Sequence, residues 1–448
     1  MDITLSSLDG VGKIVREAPE VSKGNGKVST NKQEKIPWSV LVALGMGMLV
    51  YGVAESFGPV TAITGIIPPN YAFLGYSLPY IAGGVGAFLA GYMADYMGRK
   101  TSFVVTIAML LIGLALYELY QAYDIIALLL ISFILVGMSA IGLESPILAM
   151  MSEEASARTR GSLLVITQNF GNLGVAIVFI PVLLGLSAFE QTLAILLMFI
   201  GPLIALVVAW FLVEESTPWS AVKHKVNLDV EQAWRQKDGQ AEPVKPRGGL
   251  SLRFLVLILI GIAQDVGFVY ATYGVSYSYF STSAANLVPL IGGFTMVVVG
   301  ILTALWLVPH IDRRTFATLS YGILLLLWLL LWAFVSFTRS TGGAALLAIM
   351  TLIFVPVETT WGARALLEPE LFGTERRGLY VSLVRMIVWV TSGIITGILM
   401  SGIMVFPFNL AMGITTIIFA IGLAAALVWQ VKGFETTDRS LYGLDIFK

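Results

Sequence analysis

The residues of this chain able to do chemistry are ionisable side chains set inside long apolar runs. Glu55 lies in Tyr51-Gly52-Val53-Ala54-Glu55-Ser56-Phe57-Gly58, Glu144 stands two residues before Pro146, and Asp265 follows Gln264 in another run. Glu358, Arg364 and Arg385 occupy two further runs nearer the carboxyl end. A charge at bilayer depth costs at least about 2.5–3.5 kcal/mol on insertion scales, so these groups must face a polar cavity or one another. A carboxyl so placed can bind and release a proton, because burial and neighbouring charges both tune its proton affinity. An arginine there suits a carboxylate or phosphate through its bidentate fork. Two readings of the arginines stay open: they hold an anionic ligand, or Arg385 is neutralised internally by Glu358 or Asp265. Glu358 and Arg364, six apart, do not share one helical face.

The elements that must position these groups are membrane spans. The 448 residues are 57% apolar and 12% charged, with a mean hydropathy of +0.85, far from the composition of an average soluble domain. Cys is absent, which excludes disulfides, thiol catalysis and cysteine metal sites, and His224 and His310 alone make no histidine-rich metal centre. There is no G-x-x-x-x-G-K-[ST] loop and no nucleophile–base pair, so neither ATP-driven work nor enzyme chemistry is expected, and no cofactor, metal or nucleic-acid partner. Residues 1–37 are polar and lack a signal-like apolar core, and are expected to form a disordered cytoplasmic tail. Six apolar segments follow at 38–67, 72–94, 101–123, 125–151, 161–185 and 189–213, each meeting the need for about 20 residues to cross hydrocarbon. A basic, polar linker at 214–252, with a short surface helix expected over 228–236, separates them from six more at 253–280, 286–309, 316–337, 342–367, 378–404 and 407–431. A tail at 432–448 ends the chain. With the amino terminus inside, Arg99/Lys100, Arg158/Arg160, the linker, Arg313/Arg314 and Arg376/Arg377 all fall on the cytoplasmic side, while the opposite loops offer only Arg339. The positive-inside rule therefore puts both termini in the cytoplasm.

The halves, 38–213 and 253–431, repeat each other. Asp95 and Asp312, Glu153 and Glu370, Arg160 and Arg377, and Gly161 and Gly378 are each 217 residues apart. Between the second and third segments stands Gly91-Tyr92-Met93-Ala94-Asp95-Tyr96-Met97-Gly98-Arg99-Lys100, a G-x-x-x-D-x-x-G-R-K pattern with every fixed position filled. It resembles the corresponding loop of major facilitator superfamily transporters. The loops Glu153…Arg160-Gly161 and Glu370-Leu371-Phe372…Arg377-Gly378, and Glu214-Glu215-Ser216-Thr217-Pro218-Trp219 after the sixth segment, are similar to those of the sugar porters and related solute:proton symporters.

The resemblance implies an all-α membrane protein of twelve transmembrane helices in two pseudo-symmetric six-helix bundles, with the substrate near the midplane between them. It implies a cytoplasmic gate made by Asp95, Arg99, Glu153, Arg160, Glu370 and Arg377. It puts Glu55 near the first-helix carboxylate of proton-driven members, with Glu144 and Asp265 as further proton-coupling candidates. The fourth-helix arginine of those members has no counterpart, because 128–136 is wholly apolar. Gln168, Gln264, Tyr273 and Trp361 resemble sugar-contacting positions, although Ala263 and Val269 stand where the family has a second glutamine and an asparagine. Amides meet hydroxyls while a flat ring covers a sugar's C–H face. Glu358, Arg364 and Arg385 join the candidate substrate set from their depth. The expected activity is import of a small hydrophilic solute, a sugar, by proton symport with alternating access, in a monomer of the cell membrane. The alternatives are an organic-anion transporter using Arg364 and Arg385, and a non-transporting solute sensor. Efflux is disfavoured because 168–185 lacks a glycine-proline-glycine-glycine run. Tyr270, Tyr273, Tyr277 and Tyr279 suit an outer gate or an interfacial belt.

Overall fold

A chain with this much apolar surface can satisfy its backbone in lipid only by folding into helices or a closed barrel, and the described residues form helices. The computed structural model describes residues 36–446 apart from 188–189, 191–192, 195, 198–199, 225–229, 280–281, 339–342 and 401–406. Nearly all of the expected amino-terminal tail, the first two residues of the expected linker helix, and Arg339 thus lie outside the described residues.

The first half comprises α1 (Trp38–Ile63), α2 (Leu78–Met97), α3 (Arg99–Tyr123), α4 (Ile126–Glu154), α5 (Ala157–Val178) and α6 (Ile200–Leu212). The described positions between 190 and 200 are also helical, so α6 fills the expected sixth segment. Two linker helices follow, α7 (Thr217–His224) and α8 (Val230–Asp238). The second half comprises α9 (Leu250–Val269), α10 (Thr282–Leu302), α11 (Arg313–Thr338), α12 (Ala344–Glu370), α13 (Arg377–Met400) and α14 (Phe408–Lys432). Among the described residues eleven helices are long and apolar enough to span a membrane, or twelve if Leu203–Leu212 and Thr217–Lys223, bent by 59°, form one span.

Helix packing follows the small residues. A Cβ on Gly52 would lie 1.8 Å from the Gly171 carbonyl oxygen, so α1 and α5 cross at backbone contact, which only small residues permit. Within each half the helices pack on one another: α2 and α3 on α4, α1 on α5 and α6, α9 on α12 and α14, α11 on α12 and α14. Two seams join the halves, α2 against α13 and α5 against α10. The α2–α13 seam is tight at both ends, since Cβ atoms on Gly91 and Gly397 would approach Ser382 and Ser77 to 2.2 and 2.8 Å. Helices α2 and α13 are therefore in close contact at both ends of this seam. In the second half, Tyr270–Val275 after α9 and Thr303–Leu307 after α10 widen into π-helix, a feature frequent at functional positions.

The linker differs from the expected exposed segment. Its second helix is α8, shifted by two residues from the expected range, and α7 was not foreseen at all. Trp234 is buried, Lys237 binds Glu154 at 2.9 Å, and Asp238 accepts from the Ala157 amide, so α8 docks on the first half rather than floating.

Candidate functional site

The stranded charges do meet, and they neutralise one another in a chain of ion pairs. Asp265 on α9 pairs with Arg364 on α12, and Arg364 also binds Glu368 one turn along at 2.9 Å. Glu368 in turn pairs with Arg385 on α13, and Arg385 reaches across the gap between halves to Glu144 on α4. All are buried. Neither internal pairing expected for Arg385 forms: its partners are Glu144 and Glu368, because α13 faces α4 directly across the seam while Asp265 is taken by Arg364. Glu144, offered as a proton carrier, is thus an inter-half ion-pair partner, and it also accepts from the Trp361 indole at 3.1 Å. Gln264 accepts from Arg364.

Glu55 stands apart from these pairs. It is buried on α1, close enough to Asp265, Arg364 and Arg385 to feel their charges, yet among the described residues no cation is within ion-pair distance of it. One turn earlier, the Tyr51 ring lies 5.7 Å from that of Trp361. The next residue, Ser56, accepts from the Tyr273 hydroxyl at 2.9 Å, a second inter-half contact. Of the tyrosine row, Tyr273 is the one that reaches the first half through this bond. Tyr270 packs its ring on Trp328 and Tyr277 bonds Asn286, both within the second half.

A separate polar cluster lies where α5 meets α10 and α12. Glu358 accepts from Asn172 at 2.6 Å and Gln168 at 3.4 Å; Asn172 also donates to Asn169, which donates to the Val297 carbonyl on α10. Gln168, expected at a sugar site, is therefore held by an acid from the other half. Asn169 and Asn172 escaped sequence reasoning, although both lie within one turn of Gln168 on the same helix.

At the linker end, two triads related by the internal repeat hold the halves together. Glu153 accepts from Arg99 at 2.8 and 3.3 Å, from Arg377 of the other half at 2.8 Å, and from Ser216. Glu370 accepts from Arg313 at 3.4 Å, from Arg160 of the other half at 3.0 Å, and from Thr436. Asp95 caps the start of α13 through the Gly378 and Leu379 amides at 3.0 and 2.7 Å, as suits a carboxylate at a helix N-terminus. The expected equivalence of Asp95 with Asp312 fails. Glu215 binds the Arg99 and Lys100 amides, and Glu435 those of Arg313 and Arg314, so Arg99 corresponds to Arg313 and the register slips by three residues. Arg313, Glu215, Ser216, Glu435 and Thr436 were not among the expected gate residues. The signal was present as Glu215-Ser216-Thr217 against Glu435-Thr436-Thr437. Gly98 adopts φ +113°, which its neighbours require, since a Cβ there would meet Glu215 at 2.1 Å.

The carboxyl tail completes this end. Ser440 pairs with the linker at Pro243, the Asp445 carboxylate accepts from Thr374 and Trp234, and Arg160 donates to the Arg439 carbonyl at 2.7 Å. Burial pushes Asp238 and Asp445 above the usual aspartate range, against the pull of Arg160 and Arg377. A cleft of about 950 Å³, lined by Arg253, Arg376, Tyr380 and Tyr442, lies beside the tail.

Comparison with known proteins places this architecture. The family model described as Major Facilitator Superfamily matches residues 37–387. A search of curated protein sequences finds no match. Among solved structures, the chain is similar to the proton:xylose symporter XylE bound to 6-bromo-6-deoxy-D-glucose, at 18% identity and a TM-score of 0.74, covering 92% of this chain and 98% of that one. The inward open form of XylE from E. coli follows at 17% identity and 0.64, covering 92% and 99%. The human organic anion transporter MFSD10 is similar at 14% identity and 0.59, covering 88% and 100%. At these identities the likeness is one of fold.

Proposed function

We propose that this chain, which belongs to the major facilitator superfamily and is a multi-pass membrane transporter rather than an enzyme, imports a small neutral hydrophilic solute, a sugar, together with protons. The observation that carries this reading is the charge balance of the chamber. Glu55, Glu144, Asp265 and Glu368 surround only Arg364 and Arg385, so four carboxyls face two guanidinium groups. Buried ions left without partners cost several kcal/mol each, which favours protons as the balancing charge and disfavours an added anion. Glu55, the acid of this group without an ion pair, is the proton-coupling residue. Gln168, Gln264, Tyr273 and Trp361 meet the solute: amide and hydroxyl groups from both halves bind its hydroxyls and the indole covers its C–H face.

Alternating access then requires the halves to rock about the chamber. Opening toward the linker parts the two triads and the Asp95 cap; opening toward the far end parts Tyr273 from Ser56. The linker end, which carries Arg99, Lys100, Arg313, Arg314, Arg376 and Arg377, faces the cytoplasm, with both termini on that side. A second reading, organic-anion transport, draws on the two buried arginines: an incoming carboxylate would displace Glu144 from Arg385.

The test is uptake of labelled D-xylose, D-glucose and a panel of carboxylates into proteoliposomes, with and without an imposed proton gradient. The sugar reading expects gradient-driven accumulation of a sugar that falls in Glu55→Gln while exchange of the same sugar persists. Carboxylate uptake abolished by Arg385→Gln, with no sugar uptake at any gradient, refutes it in favour of the anion.

A further inference from the structure

Among the described residues Glu358 is the other buried acid without a cation, and it does not belong to the chain of pairs. Its neighbours come from three helices: Gln168, Asn169 and Asn172 on α5, Val297 and Gly300 on α10, and its own α12. None of these is charged, and among the described residues no cation lies within ion-pair distance of Glu358. The carboxyl is fully buried, and Gly300 is required beside it, since a Cβ there would sit 2.6 Å from Oε1.

Three acceptors in this cluster receive no hydrogen. Both donated bonds go to Oε2, from Asn172 and Gln168. Glu358 Oε1, Gln168 Oε1 and Asn172 Oδ1 are all buried acceptors with no donor. A buried polar atom left unpaired costs roughly 1–3 kcal/mol, and a bare buried carboxylate more. One added hydrogen on Glu358 removes the charge and turns one of the orphaned acceptors into a donor toward the amides. Asn172 supplies no such hydrogen, because both its amide hydrogens are already committed to Asn169 and Glu358 Oε2, and neither Gln168 nor Asn169 donates to Glu358 Oε1.

We propose that Glu358 is a second proton-binding site of the transport cycle, distinct from Glu55, and that its proton closes the seam between α5 and the α10–α12 pair. The seam joins the two halves, so its polarity matters to the whole motion. With the proton bound, the contact is a neutral hydrogen-bonded cluster that can be sealed from water. With the proton gone, the seam holds an ion supported by two amides, and it must part to admit water. Loading Glu358 therefore permits occlusion, and unloading it to the cytoplasm promotes opening there. This rests on the proton-coupled reading above, and it raises the number of protons carried per solute from one to two.

The test has a readout that needs no substrate. Infrared difference spectra of the purified native protein, recorded across a pH series in H2O and D2O, report protonated carboxyls by their C=O stretch. Glu358→Gln is expected to remove one such band that survives in Glu55→Gln. Gln168→Leu, which takes away a hydrogen-bonding neighbour but keeps the acid, is expected to shift that same band in position. A Glu358→Gln spectrum that retains every protonated-carboxyl band of the native protein overturns the proposal, and so does a Gln168→Leu spectrum with no band moved. In proteoliposomes with D-xylose, each proton adds a factor of about ten in accumulation per unit of imposed pH gradient. Glu358→Gln should thus lower the plateau by about tenfold at one unit. If D-xylose is not carried at all, the sugar reading fails while the spectra still decide the role of Glu358.

Discussion

Replacing Glu153 with glutamine should unlatch the linker end of the molecule, and the size of the effect follows from its bonds. The carboxylate is buried and serves two arginines, Arg99 of its own half and Arg377 of the other, with Ser216 as a further donor. Glutamine keeps the shape and removes the charge. Arg99 retains Asp95, but Arg377 is left with the Pro369 and Phe372 carbonyls at 3.0 and 3.2 Å. Removing one partner of a buried ion pair costs about 3–5 kcal/mol, and in the open form those arginines are hydrated, so the cost falls on the closed form alone. At 1.4 kcal/mol per factor of ten, the balance moves toward the linker-open form by roughly two to three and a half orders of magnitude. The chain contains no cysteine, so a single Ser145→Cys reports the change by maleimide labelling in detergent. Ser145 is fully buried on α4, eight residues and so about 12 Å from Glu153. Glu153→Gln should raise its labelling rate by about a hundredfold or more. A rate within about threefold of the Glu153 parent would show that the triads do not hold the halves closed, and the reasoning from buried pairs would have to go.

Three further outcomes are expected. Arg385→Gln or Glu144→Gln alone should cost about 3–5 kcal/mol of stability by leaving a buried partner uncompensated, whereas the double variant recovers at least about half of that, as read by thermal unfolding in detergent. Gly91→Ala places a Cβ 2.2 Å from Ser382 at the linker end of the seam between halves and should raise Ser145→Cys labelling; Gly52→Ala, whose clash lies within one half, should lower the unfolding midpoint and leave labelling unchanged. Because burial raises the carboxyls of Asp238 and Asp445, the folded form holds their protons more tightly than the unfolded one. Their contribution is complete below the ordinary aspartate range and is lost as pH rises through the raised values, so the unfolding midpoint should fall over that interval, with a smaller fall in Asp445→Asn.

The spans were legible because a bilayer imposes one length and one polarity on every segment, and each expected segment overlaps an observed helix, with ends that differ by as much as eleven residues where α9 gives way to π-helix. The six residues named for a gate came from two patterns, Asp95 and Arg99 from the G-x-x-x-D-x-x-G-R-K loop and Glu153, Arg160, Glu370 and Arg377 from adjacent Arg-Gly pairs preceded by Glu, and all six take part in the linker-end contacts. What the pattern could not give was the pairing. Asp312 matched Asp95 in spacing but not in place, since a three-residue slip leaves the loop short and the equivalence is carried instead by backbone amides capped from Glu215 and Glu435. Partner choice among Asp265, Glu144, Glu368, Arg364 and Arg385 depends on which helices face one another across a seam, and that is set by glycine contacts far along the chain. Glu368 escaped notice because it sits two residues from Glu370 and reads as part of the same loop.

The two ends of the chamber are closed by different physics, and this gives the cycle a direction in which each condition acts. At the linker end closure depends on buried ion pairs, whose attraction is strong only while water is excluded; once wetted, such pairs are worth about 0–1 kcal/mol. Opening there is consequently steep, because the first water to enter weakens the remaining contacts, and salt favours the open form by screening what is left. The far end is closed by the Tyr273–Ser56 hydrogen bond and by packing of Tyr80 on Trp389 at 5.5 Å, contacts that ionic strength barely touches. Raising salt should therefore increase access to Ser145→Cys from the linker side while leaving far-end access unchanged, and a parallel rise at both ends would mean that the triads and the far-end aromatics are not separate gates.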